Sequence, residues 1–191
     1  MMKHIAIFAS GSGTNAENII KFFKKDADVK VSLVLSNRSD AYVLKRASKL
    51  STRTYVFDKA ELLSKSGVLS VLKKAKIDLI VLAGFLWKFP TILLDKYVNK
   101  VINIHPALLP KYGGKGMYGE LVHKAVVRNN EIETGITIHF VNPDYDEGAI
   151  IFQAKCSIAA DDDPVDVANK VRSLEMKYFP LLIKKILDAN A

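Results

Sequence analysis

The sequence has a single cysteine, a single tryptophan and no long apolar run. Cys156 has no partner for an internal disulfide, which fits a reducing, cytoplasmic compartment. The most apolar stretch, 77–87, is shorter than the roughly 20 residues that span a bilayer, and Asp78 interrupts it. Arginines are not clustered with aromatic residues, so the pattern of a nucleic-acid-binding surface is weak. These absences predict a cytoplasmic protein without a membrane or nucleic-acid partner.

The composition is that of an ordinary soluble protein, with 49% hydrophobic and 25% charged residues. A length of 191 residues predicts one domain, 1–191, with no repeat or linker. The net charge of +8 favours anionic partners, which include nucleic acid, phosphorylated metabolites and polycarboxylates. The first apolar run is short and leads directly into a glycine loop, which indicates a first strand and not a targeting segment.

Apolar runs and helical patterns alternate through the first half of the chain. This alternation predicts a parallel sheet with helices on both faces. The predicted strands are 4–9, 29–35, 54–57, 79–82 and 101–104, and the predicted helices are 15–25, 41–50, 59–74 and 91–97.

The regular alternation of strands and helices ends at a glycine-rich, basic loop over 111–119. A helix over 120–128 is followed by two strands, 134–141 and 149–158, with no helix between them, so an antiparallel pair is predicted. A last helix is predicted from Pro164 to about Asp188, with a break near Pro180. The fold class is therefore α/β, with a mostly parallel sheet and an antiparallel portion near the C-terminus.

Two polar side chains stand out in the predicted strand 101–104 and the residue after it. Asn103 and His105 are two residues apart, so they point to the same side of the strand. An amide donor beside an imidazole suits stabilisation of an oxyanion and proton transfer near neutral pH. A core histidine beside a turn asparagine is an equally simple interpretation of this pattern alone.

A glycine loop, Ser10-Gly11-Ser12-Gly13-Thr14-Asn15, joins the first strand to the first helix. Backbone N–H groups at such a helix start form an anion site, and the hydroxyl and amide side chains suit a phosphate monoester. The loop also fits a dinucleotide-binding pattern, but the acidic residue expected after the second strand is missing. A capped turn that binds nothing is the structural alternative.

The loop 142–148 is acidic and ends in glycine, which by itself is typical of a solvated turn. Its spacing fits no EF-hand, and no paired-histidine motif accompanies it, so no metal is predicted.

Four motifs taken together resemble the folate-dependent formyltransferases over essentially the whole chain. They are Gly11-Ser12-Gly13-Thr14-Asn15, Val81-Leu82-Ala83-Gly84-Phe85, the run from Asn103 to Pro110, and the run from Gly135 to Val141 that leads to Asp146 and Gly148. The resemblance implies a Rossmann-like three-layer formyltransferase fold. It implies transfer of a formyl group from 10-formyltetrahydrofolate to the amine of phosphoribosylglycinamide, in purine biosynthesis, by a monomer or homodimer. The Gly113–Tyr118 loop departs from the family's usual Tyr/Phe-Pro-Gly form.

The resemblance also assigns site residues, which divide into three sets. Substrate binding and phosphate binding fall mainly to the N-terminal half, and folate binding and catalysis mainly to the C-terminal half. The implied catalytic residues are Asn103, His105 and Asp146; the substrate-binding residues are Gly11, Ser12, Gly13, Thr14, Asn15, Arg172 and Glu175; the folate-binding residues are Lys59, Leu86, Trp87, Lys88, Phe89, Asn103, Asn142, Asp144 and Asp146.

The chemistry of the trio agrees with this assignment. The Asn103 amide and a protonated His105 would donate hydrogen bonds to the oxyanion formed when the amine attacks the formyl carbon. Asp146 would favour the charged imidazole at neutral pH and would relay the amine proton towards the leaving nitrogen. His139 is interpreted as a supporting histidine, and His4 and His123 as incidental.

Three alternatives remain open at this point. Methionyl-tRNA formyltransferase shares the Asn-x-His-Pro and aspartate features, but it carries an added tRNA-binding domain and a different glycine loop. Formyltetrahydrofolate deformylase would use the same trio for hydrolysis, usually with an N-terminal regulatory domain. A dinucleotide-dependent oxidoreductase or a nucleotide-binding module would rest on the glycine loop alone.

Overall fold

The computed structural model describes residues 1–189, in which seven strands form one sheet. The strands are β1 (Lys3–Phe8), β2 (Val29–Ser36), β3 (Thr54–Val56), β4 (Leu79–Leu82), β5 (Val101–His105), β6 (Glu133–Phe140) and β7 (Ile150–Ser157). The helices are α1 (Thr14–Phe23), α2 (Tyr42–Lys49), α3 (Lys59–Leu63), α4 (Val68–Lys74), α5 (Thr91–Leu94), α6 (Glu120–Arg128) and α7 (Pro164–Ala189).

The strand order is β3-β2-β1-β4-β5-β6-β7. The first five strands of this order are parallel, and β6 and β7 are antiparallel, which confirms the predicted mixed sheet. The direction of winding reverses between β1 and β4, and ligands in such sheets bind at the carboxyl ends of the strands flanking the reversal. The Ser10 N–H donates to the Gly84 carbonyl at 2.9 Å, so the loops after these two strands are joined.

Two apolar cores cover the two faces of the sheet. Helices α1, α2, α6 and α7 pack on one face, and α3, α4 and α5 pack on the other. In the second core, Phe8 meets the rings of Phe57, Phe85 and Phe89 edge to face. The predicted three-layer arrangement is therefore confirmed.

The thiol of Cys156 lies half-buried on β7, beside the first core. Burial raises the pKa of this thiol, which suits a structural side chain and not a nucleophile. Within residues 1–189, none of the helices is long and apolar enough to cross a membrane.

The helix predicted over 59–74 is two helices, so that prediction was wrong. Asp58 and Glu61 form a reciprocal capping box that starts α3, but Ser64 adopts an extended backbone and ends it. Gly67 then starts α4, and a Cβ atom there would lie 2.1 Å from the Glu61 carbonyl oxygen. The segment between α3 and α4 lies directly against the backbone of Glu61. The chain therefore turns there and does not continue as one helix.

The break predicted near Pro180 was also wrong, because α7 continues through it. Proline has no N–H for the carbonyl four residues earlier, which is that of Met176. The Asn18 side-chain amide donates to this carbonyl at 2.8 Å. A side chain from α1 therefore supplies the hydrogen bond that the proline cannot make, and α7 remains helical through Pro180.

We expect Asn18→Ala to lower the free energy of unfolding by about 1 kcal/mol, because the Met176 carbonyl loses its donor. In a Pro180→Ala background the restored backbone N–H replaces that donor, so the same change has a smaller effect. Urea denaturation of the four variants measures this coupling. Equal losses in both backgrounds would contradict the interpretation.

Candidate active site

A cavity of about 610 Å³ opens at the carboxyl ends of β1, β4 and β5. Its size is that of a small-molecule site. Of the residues predicted to bind or react, those that line it are Gly11, Ser12, Gly13, Thr14, Asn15, Leu86, Asn103, His105, Asp146, Arg172 and Glu175. Three loops, β5 and α7, all separate in sequence, therefore contribute these residues to one space.

One end of the cavity is the glycine loop at the start of α1. Gly13 is the residue before the helix and has φ 74°, in the left-handed region that favours glycine. A Cβ atom at Gly13 would lie 2.4 Å from Cγ2 of Val43, so α2 also requires the absence of a side chain. The loop thus brings the N-terminal N–H groups of α1 to the cavity wall, as an anion site requires.

Asn15 adds a side chain to this end. Its Nδ2 donates to Oε2 of Glu175 at 2.9 Å, whereas its Oδ1 is buried without a partner among the described residues. Burial raises the pKa of the Glu175 carboxyl, although the Asn15 hydrogen bond and nearby Arg172 act in the opposite direction. Buried polar groups normally have hydrogen-bond partners, so the free Oδ1 of Asn15 can accept a hydrogen bond from a polar ligand at this end of the cavity.

The three predicted catalytic side chains meet beside the glycine loop. Asn103 Nδ2 lies 3.4 Å from Oδ1 of Asp146, and His105 Nδ1 lies 3.5 Å from Oδ2 of the same carboxylate. Asn103 and His105 are side by side on β5, and Asp146 lies in the loop between β6 and β7. The structure therefore brings the amide, the imidazole and the carboxylate together.

The turn that delivers Asp146 has an unusual backbone. Asp146 has φ 59°, and Asp is one of the residues that tolerate this left-handed region. Gly148 follows, and a Cβ atom there would lie 1.7 Å from the Phe140 carbonyl oxygen. The loop therefore returns tightly against β6, and the carboxylate points back towards β5.

His105 is only 3% exposed, and this burial governs its titration. Burial lowers the pKa of His105 below its ordinary value of 6.5, although Asp146 and a hydrogen bond to the Tyr112 carbonyl act to raise it. The expectation of a charged His105 at neutral pH was wrong, because loss of solvent outweighs the attraction of the carboxylate. The lowered pKa favours the neutral form of this imidazole at neutral pH.

Asp146 is held as a carboxylate. Burial acts to raise its pKa, but His139, His105 and the Gly114 N–H, which donates to Oδ2 at 2.9 Å, together lower the pKa below its usual range. A neutral imidazole and a charged carboxylate thus lie side by side at neutral pH. Any proton that arrives at Nδ1 of His105 is stabilised at once by the facing negative charge.

His139 supports the trio from the next strand, as predicted. It pairs with Asn103 across β5 and β6 and is almost fully buried. Its Nδ1 lies 2.8 Å from the Phe140 carbonyl oxygen, which can only accept, so Nδ1 carries the proton of the neutral ring. Its Nε2 then accepts from Asn103 Nδ2 at 3.1 Å and orients that amide.

Six of the predicted folate-binding residues do not line the cavity. Phe89 is buried in the second core, and Trp87 packs against Phe57 and Phe85, because alternate residues after β4 turn to that face. Lys88 and Asp144 approach each other at 3.5 Å and connect two loops of the site. Lys59 is exposed at the start of α3. The Asn142 side chain accepts a hydrogen bond from the Asp144 N–H in its own loop.

Sequence reasoning missed several groups that line the cavity or contact the trio. His123, taken as incidental, is 7% exposed, lines the cavity and has a buried Nδ1 with no partner among the described residues. Lys115 lines the wall, and the Tyr112 carbonyl and the Gly114 N–H contact His105 and Asp146. Backbone contacts leave no signal in side-chain patterns, and only the packing of α6 turns His123 inwards.

We expect His105 to titrate below pH 6.5 in an NMR experiment on histidine-labelled protein. Asp146→Asn removes the charge that favours the imidazolium, so this variant should titrate at still lower pH. A rise of the His105 pKa in Asp146→Asn would refute the electrostatic account.

Known proteins are similar to this chain over most of its length. A phosphoribosylglycinamide formyltransferase of Haemophilus influenzae is 36% identical over 96% of this chain and 86% of its own length. A chloroplastic phosphoribosylglycinamide formyltransferase of Arabidopsis thaliana is 37% identical over 97% of this chain, which spans 66% of that longer protein.

A solved structure extends the likeness to three dimensions. The phosphoribosylglycinamide formyltransferase of Bacillus halodurans superimposes with a TM-score of 0.87 at 34% identity, covering 99% of this chain and 97% of that one. The family described as formyl transferase matches residues 3–183, from β1 into α7. The chain therefore belongs to the formyl transferase family.

Proposed function

We propose that this chain transfers a formyl group from 10-formyltetrahydrofolate to the amine of phosphoribosylglycinamide, a step of purine biosynthesis in the cytoplasm. The relatives and the solved structure compared above carry this activity in their names. The observation that carries the proposal is the convergence of Asn103, His105 and Asp146 beside an anion-binding helix start. An oxyanion-stabilising group and a phosphate cradle in one cavity suit a phosphorylated amine acceptor.

The acceptor phosphate is assigned to the glycine loop. The N-terminal N–H groups of α1 and the guanidinium of Arg172 supply positive potential there. Glu175 and the unpartnered Oδ1 of Asn15 suit the hydroxyl and amide hydrogens of the same molecule. The glycine-loop end of the cavity would therefore recognise both the phosphate and the hydroxyl groups of the acceptor.

The formyl donor is assigned to the other end, where the wall is more apolar. Phe85, Leu86, Ile104 and Met117 line this part of the cavity, and they suit a flat, largely apolar ring system. The donor supplies the formyl carbon and a nitrogen leaving group. Catalysis therefore falls to the second half of the chain and folate binding to both halves, whereas Arg172 and Glu175 of α7 bind with the N-terminal loop.

Each residue of the trio has its own role in the proposed reaction. When the acceptor amine attacks the formyl carbon, the carbonyl oxygen becomes an oxyanion and the nitrogen becomes acidic. The contact of Asn103 Nδ2 with Asp146 is long, at 3.4 Å, so this N–H can turn to the oxyanion. Nδ1 of neutral His105 accepts the amine proton, Asp146 stabilises the imidazolium, and the same proton passes to the leaving nitrogen.

We expect His105→Ala and Asp146→Asn to lower kcat by about 10²- to 10⁴-fold, because the proton no longer has a carrier or the carrier loses its counter-charge. The affinity for both substrates should remain. Formation of tetrahydrofolate measures kcat, and calorimetry measures binding. His4→Ala is the matched control and should keep full activity, since His4 lies outside the cavity. Full activity in either trio variant would remove the assigned roles.

We expect Arg172→Met to raise KM for phosphoribosylglycinamide about tenfold and to leave KM for the folate unchanged, because only the phosphate loses a counter-charge. Lys177→Met is the control on the same helix, since Lys177 lies over the Tyr178 ring and does not line the cavity. An equal effect of both changes would indicate a non-specific loss of positive charge.

The reaction itself is tested by a screen of amines with 10-formyltetrahydrofolate. The proposal requires tetrahydrofolate to form only when phosphoribosylglycinamide is present, with phosphoribosyl-N-formylglycinamide detected by mass spectrometry. Formate release without any amine would indicate hydrolysis instead, and transfer to methionyl-tRNA would indicate the other acceptor class. Either result would overturn the assigned substrate.

A further inference from the structure

The hydroxyl of Tyr112 is bound outside the cavity by the turn between α6 and β6. It donates to Oε1 of Glu131 at 2.9 Å and accepts from Nδ2 of Asn129 at 2.9 Å. Nζ of Lys111 also lies 2.9 Å from Oε1 of Glu131. Both hydrogen-bonding directions of the phenol are therefore used, and its position is tied to this turn.

The backbone of the same residue contacts the catalytic imidazole. The Tyr112 carbonyl oxygen lies 2.7 Å from Nε2 of His105. A carbonyl only accepts hydrogen bonds, so Nε2 must carry the proton of the neutral ring. Nδ1 is then the unprotonated nitrogen, and it is the one that faces Asp146.

The next two residues continue this contact to the carboxylate. We refer to Tyr112–Gly114 as the strap. Gly114 donates its N–H to Oδ2 of Asp146 at 2.9 Å, and a Cβ atom at Gly113 would lie 2.5 Å from Cδ2 of Leu109. The strap therefore passes closely over His105 and Asp146 and contacts both through its backbone.

The strap adopts a conformation that its own residues do not favour. Tyr112 has φ 57°, a left-handed backbone that is unfavourable for a bulky residue. Such a conformation persists only where surrounding contacts determine it. The hydrogen bonds of the phenol to Glu131 and Asn129 are contacts of this kind, and they lie away from the reacting groups.

We propose that the phenol of Tyr112 is a positioning group that, anchored on Glu131 and Asn129, sets the tautomer and orientation of His105 through the strap. The inference rests on the proposed role of His105 as the proton carrier. It assigns to the α6–β6 turn a part in catalysis, since the turn holds the carbonyl that keeps Nδ1 of His105 free to accept the amine proton. Neither Glu131 nor Asn129 lines the cavity.

Tyr112→Phe keeps the ring and removes only the hydroxyl. We expect kcat to fall about tenfold or more while KM for both substrates stays the same, because a small displacement of the proton carrier affects the transition state and not binding. We also expect nitrogen-15 NMR of labelled histidine to show less of the Nε2–H tautomer of His105, and its pKa to fall, because the carbonyl contact that favours the charged ring is weakened.

Two further variants separate positioning from general stability. Glu131→Gln keeps an oxygen acceptor for the phenol and should retain most of kcat and the wild-type tautomer. Tyr55→Phe removes a similar phenol–carboxylate bond, of 2.6 Å to Glu61, beyond the cavity, and should change neither kcat nor His105.

An unchanged His105 tautomer and pKa in Tyr112→Phe would overturn the inference, as would equal losses of kcat in Tyr112→Phe and Tyr55→Phe. The NMR readout needs no substrate. A failure of the proposed formyl transfer would therefore appear in the amine screen and leave this test intact.

Discussion

Burial of the Asp146 carboxylate is the constraint on which the site depends. A carboxylate removed from water requires hydrogen-bond donors, and here they come from two parts of the chain: the Gly114 N–H and the Asn103 amide. Each of these donors is also a group that the proposed reaction uses or positions. The arrangement that stabilises the charge is therefore the arrangement that assembles the site.

The antiparallel edge of the sheet makes this convergence possible. β6 returns beside β5, so that His139 pairs with Asn103, and the loop that follows β6 folds back over the same residues. In this register Phe140, at the end of β6, lies beside Ile102, and Asp146 in the following loop reaches back to Asn103 and His105. The parallel strands β1 and β4 supply the anion loop, and the antiparallel strands supply the carboxylate.

The patterns in the sequence predicted the strands, the mixed sheet and the three layers, because apolar periodicity directly reflects which residues face a core. They failed at 59–74 and at Pro180. At 59–74 a close approach of Gly67 to Glu61 interrupts a continuous helical pattern. At Pro180 an amide from another helix allows a helix to pass through a proline. Both outcomes depend on contacts between residues whose proximity a local pattern does not encode.

The sequence by itself determined the chemistry available: an amide and an imidazole on one side of a strand, a glycine loop at a helix start, and an acidic loop. Only the tertiary structure decided how these groups behave. Burial makes His105 neutral where its carboxylate neighbour alone would favour a charge, and the Tyr112 carbonyl selects its tautomer. Packing also draws His123 into the cavity and Phe89 into the core. Solvation and backbone contacts arise from the folded chain, which is why residue types alone do not reveal them.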